Sequence, residues 1–399
     1  MARLRLAIAL TVATLSPACG AASRSVSPVT PTHIDAEPRI VTAGEVTTQR
    51  ELAARAERAL MEQRWADAAE AYGTLVAADG GGVHAAQYSF NLGLAYEGMR
   101  ERVKARDAFV TLAQRFPDGP TARPALVRAA TLCAYIEDWP ALAAIGDLLL
   151  ARADIEDLER IVALGARGLA RVELGDDKSA STDIFDGLDV SDRLHYGARD
   201  VLPVAVAQLR FALGELRRVR SERIQLDPAP PDFVERLEAR CGGLLEAQAA
   251  YAMAVQSIDP HWAAMAGYRV GAMYGTLHRE LMTISPPPTS KTARQKEIFY
   301  AFMHMRYRVL LEKGVREMEQ TVALGERTAD ASSWIQRARQ QLEEMKASLD
   351  EEKARLETMP FRETDVKEAL TELTKRAAAT PSGVPKNYRP KTGADRAPR

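Results

Sequence analysis

The sequence predicts an all-α fold, a solenoid of helix-turn-helix units closed by long C-terminal capping helices. Three observations carry this. Ala, Leu, Arg and Glu, all strong helix formers, dominate a chain of 399 residues. Aromatics make up only 6% of it, and an all-β chain would carry more aromatic, Val, Ile and Thr residues. A pattern of small and aromatic residues also returns about every 37 positions. Hydrophobic residues reach 46%, enough for a sizeable core. Lys plus Arg total 53 against 54 Asp plus Glu, a balance that gives no general reason to expect nucleic-acid binding. Three cysteines are too few for a disulfide scaffold.

Residues 1–19 read as an export signal. Arg3 and Arg5 precede an apolar run from Leu6 to Leu15, which is too short to span a bilayer, where about 20 residues are needed. The run ends in Ser16-Pro17-Ala18-Cys19-Gly20. This resembles the lipobox of bacterial lipoproteins, although Leu15 lies one residue further from the cysteine than usual and Pro17 is atypical. The resemblance implies lipidation of Cys19 at a new N-terminus, and Gly20 after it implies the outer membrane, facing the periplasm. The alternative is an ordinary secretory signal cut after Ala18 or Ala22. Residues 20–47, rich in Ser, Thr, Pro and Val without apolar period, read as a disordered tether with a reach on the order of 30 Å.

Ordered sequence is expected from Thr48, where Thr48 and Glu51 form a capping box. From Gln87 to Pro117 the chain places Leu92-Gly93, Tyr96, Ala105, Phe109 and Pro117. Gly93 permits close helix approach, Tyr96 and Phe109 fill the space between helices, and Pro117 stops the second helix. These positions resemble the tetratricopeptide repeat. Trp65, Ala68 and Tyr72 stand 37 residues before Arg102, Ala105 and Phe109. Degenerate copies follow at Ala130, Trp139, Leu142 and Gly146, and at Gly168, Gly175, Ala180 and Ile184. Residues 48–190 are therefore expected to form the repeats.

Residues 191–284 read as divergent helical repeats. The register is lost through Asp189–Pro231 and returns at Ala247, Tyr251, Ala254 and Pro260. Residues 285–291 are a Pro-rich linker, since serial prolines cannot continue a helix. Residues 292–376 are expected to form a helical hairpin or cap. One helix starts near Thr292, capped with Gln295. A second carries Ile335, Leu342, Leu349 and Leu356 at seven-residue spacing and packs antiparallel on the first. Residues 377–399 read as a disordered basic tail, whose charge fits solubility or a weak contact with anionic lipid or wall polymer.

No catalytic or nucleotide-binding motif is found, so no enzyme, cofactor or small-molecule substrate is expected. Met303-His304-Met305 is not a metal site, because adjacent helical residues point about 100° apart. Cys133 and Cys241 are expected to stay thiols, with Cys133 inward like Tyr96. In a tetratricopeptide array the first helices line a groove for a protein partner. Arg50, Glu57, Gln87, Phe90, Glu97 and Tyr135 fall on that face, with Phe90 and Tyr135 as aromatic anchors. Anchor plus array is similar to the lipoprotein accessory of the barrel assembly machine, to type IV pilotins and to gliding-machinery lipoproteins. The implied function is a membrane-anchored scaffold for cell-envelope protein partners. The alternative is a helical-scaffold enzyme or enzyme subunit acting on cell wall or polysaccharide.

Overall fold

The computed structural model describes residues 43–361, apart from 80, 83, 197–201, 228–229, 231, 258, 289 and 329–331 and the side chains of 43–47. The expected signal, Cys19, most of the tether, residues 362–376 of the cap and the basic tail lie outside the described residues. Among those described there are thirteen α-helices and no strand, with one isolated parallel bridge between Leu202 and Ser257. The fold is all-α, and its connectivity is that of a helical-repeat solenoid. The chain divides into two compact units, one ending at Ala108 and one starting at Phe109.

The first unit contains α1 (Ala43–Met61), α2 (Trp65–Asp79), α3 (Ala85–Gly98) and the start of α4 (Arg102–Arg115). Helix α1 begins upstream of Thr48, so the expected capping box lies inside the helix. No proline separates Ala43 from Thr48, and nothing there stops the helix from extending. Tyr72 of α2 is fully buried, and its hydroxyl accepts a bond from Asn91 Nδ2 of α3 at 3.0 Å. Burial pushes that hydroxyl up to about 12, against the opposing effect of the Asn91 bond. The Trp65 indole lies so close over Gly98 that a Cβ there would stand 2.3 Å from the ring. Tyr96, expected to fill the space between helices, is only half-buried, with the Lys104 ammonium 5.9 Å over its ring.

One turn recurs through both units. Gln63, Arg100, Glu137 and Gly175 have φ of 57°, 62°, 61° and 88°, spaced 37, 37 and 38 residues apart. Each stands just before a second helix. The N–H groups of Gln63 and Arg64 donate to the carbonyls of Leu60 (3.1 Å) and Ala59 (2.8 Å). The same pair of bonds recurs at Arg100 and Glu101, at Glu137 and Asp138, and at Gly175 and Asp176. This is the double closure of a helix C-terminus by one left-handed residue. It satisfies two orphan carbonyls and reverses the chain within three residues.

The second unit continues with α5 (Ala122–Tyr135), α6 (Trp139–Leu150), α7 (Asp157–Glu173), α8 (Asp177–Arg193), α9 (Val204–Glu222), α10 (Phe233–Val255), α11 (Pro260–Thr283), α12 (Ala293–Thr328) and α13 (Ser333–Glu357). Helices α5, α7, α9 and α11 touch in succession, and α5, α7 and α9 each pack on their own second helix. Phe109 is fully buried, and Cys133 and Cys241 both remain thiols, the former buried. Asp183 of α8, also buried, accepts both guanidinium arms of Arg167 (2.9 and 2.6 Å) and one from Arg171 (2.6 Å), tying α8 to α7. The stretch where the sequence register fails contains α9, an intact helix buried through most of its length. An irregular connection lengthens the interval between first helices from 35 residues (122 to 157) to 47 (157 to 204).

Helices α12 and α13 pack antiparallel on each other, and both pack on α11. Thr292 and Gln295 cap α12 reciprocally, with bonds of 3.0 and 3.2 Å. Leu311, Val315 and Met318 of α12 interleave with Ala338, Leu342 and Met345 of α13. Gly314 sits at the crossing with α11, where an added Cβ would lie 2.3 Å from Met345 Cε and 3.1 Å from the Gly271 carbonyl. His304 Nδ1 meets the Glu352 carboxylate at 2.7 Å, and burial holds neighbouring His278 below its ordinary range.

Three of the four repeated turns place a side chain in the left-handed region, at a cost of about 1–2 kcal/mol each. Gln63→Gly, Arg100→Gly and Glu137→Gly are each expected to stabilise the chain by about 0.5–1 kcal/mol, once the greater unfolded-state freedom of glycine is subtracted. Urea unfolding midpoints check this, and a drop for all three would contradict the assigned turn.

Candidate functional site

Of the six residues expected to form one groove, five lie in the first unit and Tyr135 lies in the second. Arg50 is exposed on α1, Glu57 is half-buried on the same helix, and Gln87 and Glu97 are half-buried on α3. Phe90 is 8% exposed and belongs to the core, which corrects its assignment as a surface anchor. An aromatic ring on a helix that packs on a neighbour gains more by burial than by standing in water. Tyr135 is also reassigned, because it anchors the chain's own α11.

Tyr135 ends α5. Its hydroxyl donates to the Asp259 carboxylate, and its ring lies 4.0 Å from that of His261 and 5.8 Å from that of Trp262. Asp259 is the N-cap of α11. Its Oδ1 accepts from the N–H groups of His261 (2.8 Å) and Trp262 (3.3 Å), while Oδ2 receives Tyr135. One carboxylate thus starts α11 and pins it to α5. Trp262 is fully buried against Phe211 of α9, at 5.4 Å between centroids. Beside it, Arg337 of α13 pairs with Glu137 at 2.7 Å and stacks 4.4 Å over the buried Trp334. The first-helix surface at the end of α5 is occupied from within.

Next to this contact lies a buried ionic network. Glu215 of α9 is 0% exposed. Its carboxylate accepts the Tyr251 hydroxyl at 2.7 Å and Arg218 Nη2 at 2.5 Å, and Arg269 Nε of α11 stands 2.8 Å away. That Arg269 N–H does not point along a hydrogen bond, so its contribution is that of an ion pair. Burial alone would raise the Glu215 pKa, but Arg269 and Arg218 outweigh it and hold the group ionised, well below its usual range. Glu173, at the end of α7, sits 3.4 Å from Arg269. Burial first, then the negative charge of Glu215, pushes its pKa up to about 7, with Arg269 opposing. One shared cation therefore serves two unequal carboxylates. A third arginine, Arg240 of α10, is buried against the end of α9. It donates to the carbonyls of Glu222 (2.6 Å) and Ile224 (3.3 Å) and pairs with Glu280 of α11. It caps α9 from outside that helix.

None of this network was identified from sequence. Glu215, Arg218 and Arg269 sit in ordinary amphipathic helices, and only the approach of α9 to α11 makes them buried. The Asp259-Pro260 pair was the one available signal, an N-cap followed by proline at the first helical position.

The raised pKa of Glu173 gives a pH test. Its folded-state preference for a proton contributes stability that is intact below the ordinary 4.5 and is lost as pH climbs through about 7. Glu173→Gln is therefore expected to stabilise the chain by about 2–3 kcal/mol at about pH 8 and to change little at about pH 5. Thermal melts across that range would show the two curves converging in acid. Parallel curves would remove the assignment.

No protein-family model and no curated protein matches the sequence. Among solved structures, a tetratricopeptide repeat protein from Parabacteroides merdae ATCC 43184 aligns with 73% of this chain and 99% of its own. The identity is 13% and the TM-score 0.38. The helix pairing described here rests on the turns and contacts of this chain itself.

Proposed function

We propose that the chain is a lipid-anchored scaffold of the bacterial cell envelope, binding protein partners through the first-helix face of its N-terminal repeats. The carrying observation is where the polar residues of the expected groove stand: Arg50 is exposed on α1, Glu57 half-exposed on the same helix, and Gln87 and Glu97 half-exposed on α3. A face with charges of both signs suits an extended polar peptide, fixing its polarity and register. Anchoring is supported by the export signal ending at Cys19, and an outer-membrane, periplasm-facing position by Gly20 after it. No helix among the described residues is long and apolar enough to cross a membrane.

Two measurements test this. Cys19→Ser is expected to shift the protein from the membrane fraction to the soluble envelope fraction and to abolish labelling by a fatty-acid analogue. A photocrosslinking residue at position 87 or 97 is expected to trap a discrete envelope protein, and the same group at exposed Asp189 of α8 is not. Equal trapping at all three sites would sink the groove assignment without touching the anchor.

A further inference from the structure

Helix α12 carries two apolar stripes, and the fold uses one. Leu311, Val315 and Met318 face α13, and Gly314 faces α11. On the opposite side Ile298, Phe302, Met305 and Val309 follow one another at four, three and four residues, so they share one face. The stripe is about 16 Å long at 1.5 Å per residue. The first three side chains are half-buried and Val309 is 44% exposed. Exposed Arg294 and Arg306 flank it, with exposed Arg316 beyond its end. Past Val309 the face is claimed by α10, since Lys313 donates to Gln248 of α10 (3.0 Å) and to Tyr274 of α11 (2.7 Å).

The charge on this half of the helix is one-sided. From Lys291 to Val309 there are five basic residues, Lys291, Arg294, Lys296, Arg306 and Arg308, against the single acid Glu297. Among the described residues Arg308 is paired within the helix, by Glu312 at 2.9 Å. An apolar stripe flanked by arginines is what a helix lying flat on an anionic bilayer presents. A protein partner would have to bring its own acidic amphipathic face, whereas anionic lipid supplies the charge uniformly.

We propose that the N-terminal half of α12 is a second membrane contact, independent of acylation, that seats this unit on an anionic bilayer surface. It stands apart from the anchor, because it requires no acylation at Cys19. The test uses the exported chain, residues 20–399, without lipid. It is mixed with vesicles of phosphatidylcholine alone or with phosphatidylglycerol. Partition onto the anionic vesicles only, weakening as salt rises, is expected. Arg294→Glu with Arg306→Glu should lower that partition by about tenfold or more. Phe302→Ser with Val309→Ser should lower it comparably at any salt. Circular dichroism melts close to wild type would confirm that both variants fold. Failure to bind anionic vesicles would overturn the proposal. So would binding that persists in both variants and vanishes when the basic tail is removed, or capture of the stripe by an acidic helical protein in place of vesicles.

Discussion

The left-handed turn between paired helices is the constraint on which the repeats depend. Each first helix ends with carbonyls that have no partner inside it, and the chain must reverse before the next helix can pack. One residue at positive φ solves both problems at once, because its own N–H and the next one return to the helix just completed. Gln63, Arg100, Glu137 and Gly175 do this in turn. Only the last is glycine, so the interhelix contacts they enable must outweigh the strain in the other three. Contacts such as Asp183 of α8 with Arg167 and Arg171 of α7 become possible only after the reversal.

The second unit adds a different device. Helices α7, α9, α10 and α11 are joined by charge as well as by apolar packing, through Glu173, Glu215, Arg218, Arg269 and Tyr251. A carboxylate as deeply buried as Glu215 is tolerable only with cations and donors around it, and removing one partner would leave an uncompensated charge. The arrangement fixes which helices meet and at what depth. The same logic holds at Arg240, whose guanidinium satisfies the end of α9 while its charge is met by Glu280. Such groups contribute uniqueness of packing more surely than stability.

These two devices bear on function in opposite ways. Where α11 is pinned by Asp259 to Tyr135, the chain supplies its own ligand to its own first-helix surface. In the first unit Arg50, Glu57, Gln87 and Glu97 stand exposed or half-exposed on α1 and α3. Helix α12 shows the reverse case, an apolar stripe with basic flanks that the fold leaves partly uncovered.

The sequence by itself determined the helical class, the 37-residue period, the Thr292–Gln295 cap and the α12–α13 hairpin. Each follows from short-range rules: helix propensity, apolar spacing, and the chemistry of a residue and its neighbours three or four positions away. It placed Phe90 and Tyr135 on the right helices but on the wrong side of the question, because a periodicity marks a face without naming what covers it. The start of α1 and the repeat register of α9 escaped for a related reason: a cap signal can lie within a helix, and a lengthened connection moves an expected helix out of phase while its packing is unchanged. Tertiary structure alone decided that Asp259 would serve α5 and α11 together, and that Glu215 would be buried beside Arg269. Those residues lie tens to more than a hundred positions apart, and desolvation, which gives a charge its meaning in a core, exists only once the helices have met.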